Sequence, residues 1–167
     1  MRRITPLIVS SLAVASVWAQ PTHRTPAQAL DRAFTNLSQK ILAMAEDFPE
    51  DKYDYRPAPG LRSFGDVILH IASGNIFAAK AGRGENVKWD DLELNPKDYK
   101  GKTAIVAALK QSITEASATL KATPESQFAA SLGPWLAVIE HAGEHYGQLV
   151  VYYRNNSLVP PESRKGS

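Results

Sequence analysis

The sequence predicts an all-α protein, a four-helix bundle, and three observations carry that prediction. Four segments of roughly twenty residues place apolar side chains at three- and four-residue steps. No stretch alternates apolar and polar residues as a half-buried strand would. Between the segments lie stretches rich in proline, glycine and charge.

The chain opens with Met1, the basic pair Arg2 and Arg3, the apolar run PLIVSSLAVASVWA and a small residue, Ala19, with Val17 two before it. This reads as a secretory signal peptide over residues 1–19, cleaved after Ala19. Serines 10, 11 and 16 interrupt the run, which falls short of the ~20 apolar residues that cross a bilayer. No later stretch comes close, so no membrane span is expected after cleavage, and the protein is expected to be secreted or periplasmic. A polar leader with Pro21 and Pro26 follows over residues 20–26.

Helix 1 is expected from about Ala27 to Phe48, where Leu30, Phe34, Leu37, Ile41, Leu42 and Met44 recur near helical spacing. Residues 49–62, PEDKYDYRPAPGLR, carry three prolines and a glycine and read as a long loop. Ser63 with Asp66 resembles a capping box, and the apolar run FGDVILHIASGNIFAAKAG after it predicts a largely buried helix 2. The polar, irregular stretch 82–102 has the length of a lid or binding loop. Thr103 is expected to cap helix 3, whose Ile105, Val106, Leu109, Ile113, Ala116 and Leu120 run through about Lys121. Thr123 before Pro124 marks a short turn, and Gly133 before Pro134 marks a start with proline in the first helical position. Helix 4 is therefore expected from about Pro134 to Asn155, and the prolines of SLVPPESRKGS end it. The domain reading is one bundle over residues 27–160 with a tail over 161–167.

Composition narrows the function. The net charge of +2 comes from Arg2 and Arg3, and their loss leaves 17 basic against 17 acidic residues. A neutral chain lacks the cationic excess on which nucleic-acid binding draws. There is no cysteine, which excludes disulfides, a thiolate nucleophile, a lipoprotein anchor and thiolate metal sites.

Histidine is the informative residue, with four in the chain. On helix 4, Trp135, Val138, Ile139, Ala142, Tyr146, Leu149, Val150 and Tyr153 form the apolar stripe at ~100° per residue. His141 and His145 fall on one shoulder of it with Gln148 and Tyr152, while Glu140, Glu144 and Arg154 lie on the far polar side. On helix 2, His70 occupies a similar shoulder near Gly74 and Phe77, and the small Gly74 leaves room beside it. Residues at i and i+4 sit ~6 Å apart on one face, close enough for both imidazoles to reach one cation at ~2.1 Å. A third nitrogen from His70 would complete a set with a position left for water or substrate. Such a set suits one divalent ion, zinc, nickel or iron. The competing reading is three ordinary histidines bonded to carbonyls or carboxylates; His23 in the leader is expected to be solvated.

HAGEH also matches H-x-x-E-H, in which the glutamate serves as base in a metalloprotease. That reading makes Glu144 a catalytic candidate. It is opposed by the wheel, which turns Glu144 away from the histidines, and by Glu162 being the only acid downstream.

DVILHIASGN with His70, HAGEHYGQLVVYYR with His141 and His145, and the closing LVPPESR together resemble the DinB-like family of the DinB/YfiT superfamily, from helix 1 to the tail. The resemblance implies a four-helix bundle with a divalent metal on His70, His141 and His145, and frequently a homodimer. Some related branches transfer or isomerise groups with a low-molecular-weight thiol as cosubstrate. Those thiols belong to the cytoplasm, whereas this chain carries an export signal, and the balance moves towards metal-assisted hydrolysis of a small-molecule substrate. Gln148, one turn beyond His145, is placed to orient a water or ligand, and Tyr152 is open to the same role or to packing. The alternatives are a metal that merely ties helix 2 to helix 4, and an interaction module that dimerises through its helices.

Overall fold

The structure, a computed structural model, describes residues 24–164. The expected cleavage site, His23 and the last three residues of the tail lie outside the described residues. Four long helices make the fold: α1 (Pro26–Asp47), α2 (Phe64–Gly82), α3 (Gly101–Ala122) and α4 (Glu125–Asn155). No strand occurs among the described residues, and none of their helices is long and apolar enough to cross a membrane.

Two of the four starts are written locally. Thr25 accepts from the Gln28 amide while Gln28 returns a bond to the Thr25 amide, with Pro26 in the first turn. Ser63 and Asp66 make the same reciprocal pair at α2. Each box satisfies two backbone donors that a helix start leaves open. The other two starts differ from expectation. Helix α3 begins at Gly101, which takes φ +74, and Lys100 rather than Thr103 precedes it, with no side-chain cap. Helix α4 begins at Glu125, nine residues before Pro134, which lies inside it. The upstream residues Phe128 and Ser131 are buried, so packing holds that turn helical. A residue before proline ordinarily avoids the helical region because its Cβ meets the proline ring. Gly133 has no Cβ, and the obstacle is removed.

Helix α2 packs on α3 and α4, and α1 packs on α3 and α4, so α2 and α4 share one long seam. Helix α2 is buried on most sides, from Phe64 through Ala79. At one end of the seam Phe48, Tyr53, Phe64 and Tyr153 form an aromatic cluster, with the Phe48 and Phe64 rings stacked at 3.8 Å. Full burial of each such side chain stabilises by about 1.5–3 kcal/mol. Trp135, wholly buried, fills the space between α4 and α1 with its edge against Phe34. Asn75 donates to Ser112 Oγ at 3.1 Å and joins α2 to α3 inside the core.

The stretch after α2 folds back on that helix. Two short 3-10 turns, Asp90–Leu92 and Pro96–Asp98, punctuate it. The Leu94 amide donates to Ser73 Oγ at 2.9 Å, and Ser73 in turn donates to the Leu69 carbonyl. The C-terminal residues return to α1, where Arg164 pairs with Asp47 and Lys40 with Glu162.

Candidate metal centre

The seam between α2 and α4 brings together the three histidines of the two helices. The rings of His141 and His145, four apart on α4, have centroids 4.4 Å apart. His70, from α2, lies 4.7 Å from the first and 4.9 Å from the second. One ring nitrogen of each falls within 4.8 Å of the other two. His70 Nε2 and His141 Nε2 are 3.0 Å apart, and two ligands at ~2.1 Å from one cation stand roughly 3 Å from each other.

The hydrogen bonds behind the rings orient the near nitrogens. His70 Nδ1 lies 2.8 and 2.9 Å from the two oxygens of Glu93. A carboxylate only accepts, so Nδ1 carries the proton and Nε2 presents a lone pair to the cluster. His145 Nδ1 donates to Gln148 Oε1 at 2.7 Å, which leaves its Nε2 unprotonated as well. Gln148 is held in turn, its amide nitrogen donating to the Tyr152 hydroxyl at 3.3 Å. Tyr152 donates to the Arg62 carbonyl. His141 differs: its Nδ1 is buried without a hydrogen-bond partner, close under Trp89 and Gly74. A proton on His141 Nε2 can bridge to His70; in the tautomer that carries it on Nδ1 instead, all three rings turn a lone pair toward one another and could hold a divalent cation.

Electrostatics disfavours the charged form of the two α4 histidines. Burial, with His145, His70 and Arg62 adding to it, pulls His141 down to about 3. Burial also lowers His145, against its hydrogen bond to Gln148, which raises it. Neutral imidazole is the form that binds a metal. The donor set fits a divalent ion in type and spacing, with Glu93 and Gln148 as the partners that fix ring orientation.

Each residue singled out in the sequence has a definite place. Gln148 stands behind His145. Tyr152 is buried rather than half-exposed, and its hydroxyl serves both Gln148 and the Arg62 backbone. Glu144 is solvent-exposed and outside the cluster, so the structure does not place the H-x-x-E-H glutamate at the histidines. The room beside Gly74 is taken: a Cβ there would stand 2.8 Å from Trp89 and 3.1 Å from His141 Nδ1. Trp89 packs on Phe77 and on His141. Glu93 and Arg62 were invisible to spacing, because both sit in irregular stretches and reach the site through tertiary contacts.

A cavity of about 750 Å³ lies elsewhere, between the ends of α2 and α3 and the start of α4. Ala81, Gly82, Ala118 and Ala122 line it, about 16 Å along α2 from His70. Its polar lining residues Arg83, Glu115 and Thr119 bond to one another and no histidine lines it, so chemistry rather than volume identifies the site. A family model described as the DinB superfamily matches residues 33–149 of the chain. No curated protein matches it.

Proposed function

The chain belongs to the DinB superfamily, and with that as premise we propose that it is an exported metal-dependent enzyme of hydrolase-like chemistry acting on a small molecule. The observation that carries the proposal is the convergence of three imidazoles from two helices, two of them with the far nitrogen already engaged. His70, His141 and His145 would hold the ion, zinc, nickel or iron, and leave the rest of its sphere to exchangeable ligands. A divalent ion there supplies Lewis acidity, polarising a substrate oxygen and acidifying water near neutral pH.

The chain's own residues supply the setting. Glu93 and Gln148 fix the rings, Trp89 walls the His141 side, and Arg62 stands at the rim. Among the described residues no carboxylate other than Glu93 hydrogen-bonds to these rings, and Glu93 is committed to His70. General-base work therefore falls to water or to the substrate itself in this reading. Solvent access supports an open site, since the His70 side chain keeps 14% of its exposure and Glu93 36%.

The rival is an ion that ties α2 to α4 and does no chemistry. Loading the chain with cobalt(II) and titrating azide separates the two. A shift of the visible bands on azide addition supports an exchangeable position. Bands that stay unmoved at saturating azide would overturn the enzyme reading and leave the structural one.

A further inference from the structure

Resting on the metal reading above, the rim of the site points to the kind of molecule it receives. Arg62 follows a turn that is tied down in several places. Arg56 donates to the Leu61 carbonyl at 2.7 Å and also to Asp66, the Leu61 amide bonds to Ala58, and Gly60 takes φ +82. The Arg62 carbonyl accepts the Tyr152 hydroxyl at 2.5 Å, which ties its backbone to the α4 shoulder that carries Gln148 and His145. The backbone is thus fixed while the side chain stays about half exposed, at 48%.

The guanidinium makes one long contact, 3.5 Å to Glu93 Oε1, and that oxygen is already engaged by His70 Nδ1 at 2.9 Å. Five N–H donors meet a single shared acceptor, which leaves most of the fork for a ligand. On another side of the cluster stand the rings of Trp89 and Phe77, 4.8 Å apart, with Trp89 against His141. A cation that can bind two oxygens at once and an aromatic wall thus stand around the same three imidazoles.

We propose that Arg62 is the anion anchor of the site and that the natural ligand is a small molecule bearing a carboxylate or phosphate, with a flat or apolar part lying against Trp89. Planar bidentate pairing is what a guanidinium offers either group and what a lysine ammonium lacks. Positioning of the ligand costs little reorganisation, because the turn and Tyr152 already hold the backbone of residue 62.

The test uses cobalt(II)-loaded protein, with acetate, benzoate and inorganic phosphate titrated against the visible bands and metal content measured in parallel. The expected result is that benzoate binds the parent more tightly than acetate, and that Arg62→Ala weakens the better of the carboxylate and phosphate probes by about tenfold with cobalt content unchanged. Arg62→Lys should recover part of that loss, and Trp89→Ala should erase the preference for benzoate over acetate. Comparison of benzoate with phosphate tells which oxyanion the rim favours. Anion affinities of Arg62→Ala within twofold of the parent would overturn the assignment. So would loss of cobalt from Arg62→Ala, which would make the residue a support for Glu93. A parent that takes up no cobalt would instead overturn the metal reading, and this inference with it.

Discussion

Helices α2 and α4 meet twice, at the aromatic end around Phe64 and Tyr153 and at the histidine cluster two turns along, and the two places are built on opposite terms. At the aromatic end shape and hydrogen bonding are both settled. Phe48 stacks on Phe64, Tyr153 donates to the Met44 carbonyl at 2.7 Å, and Tyr53 donates to the Ala45 carbonyl. At the histidine cluster the rings are equally well placed, yet two near nitrogens face each other at 3.0 Å and His141 Nδ1 has no partner. An unpaired buried polar atom costs roughly 1–3 kcal/mol. The comparison teaches that packing and hydrogen bonding are closed at one end of the seam and left open at the other, where three imidazoles converge on a space that could hold a metal ion.

The division should be breakable at either end separately. The largest effect is expected at Phe64, where Phe64→Ala opens a cavity among stacked rings. It should lower unfolding free energy by about 3–5 kcal/mol in denaturant titration of the metal-free chain. Molecules of that variant that remain folded should keep parental metal stoichiometry. At the cluster the pattern inverts. Glu93→Ala should reduce metal affinity about 10- to 100-fold in a competition titration, while shifting metal-free stability by no more than about 0.5 kcal/mol. If stability fell by several kcal/mol instead, the loop would belong to the core and the contrast would fail.

Gly74→Ala sharpens the boundary between the regions. The added methyl meets Trp89 at 2.8 Å and His141 Nδ1 at 3.1 Å. Overpacking of about 1–3 kcal/mol is partly offset by the better helix propensity of alanine, about 1 kcal/mol, so the net cost should be roughly 1 kcal/mol. Metal affinity should fall in the same variant, because the residue displaced is one of the three imidazoles.

The smallest effect lies at the margin of the aromatic end, where the tail returns to α1 and Tyr153 reaches Asp47. The Arg164 hydrogen bond, with Tyr153 adding to it, holds the Asp47 carboxyl below the usual carboxylate range against the opposing effect of burial. A depressed carboxylate adds stability that is present above its unfolded value near pH 4 and is lost as pH falls through the folded one. Asp47→Asn should therefore cost below about 1 kcal/mol between pH 5 and 8, given its exposure, and the difference from the parent should shrink below about pH 4. A difference that stayed constant down to pH 2 would remove the ion pair from the account.

Local signals carried much of this architecture. The start of α2 was legible because Ser63–Asp66 is a reciprocal pair three residues apart, complete within one turn, and that of α1 from its apolar spacing, although its own pair, Thr25–Gln28, went unread. The start of α4 was not, because the usual meaning of Pro134 is reversed by the absent Cβ of Gly133 and by the burial of Phe128 and Ser131 upstream. The meeting of His141, His145 and His70 followed from shoulder positions on two helices, and Gln148 from one further turn. Glu93 did not, since it reaches His70 across 23 residues through a stretch docked by the Leu94 amide on Ser73. Arg62 was hidden for the same reason, its position depending on the hydroxyl of Tyr152, 90 residues away. Periodicity speaks for side chains on one helix; it says nothing of what a loop folds back to touch.

The central claim is that three imidazoles from two helices hold one divalent ion. Metal content per chain, measured in the parent and in His70→Ala, His141→Ala and His145→Ala after each is shown to be folded, tests it most directly. The account predicts about one ion per chain in the parent and severe loss in all three variants. A folded parent without metal after exposure to zinc, nickel and iron(II), or variants that retain the ion, would contradict it.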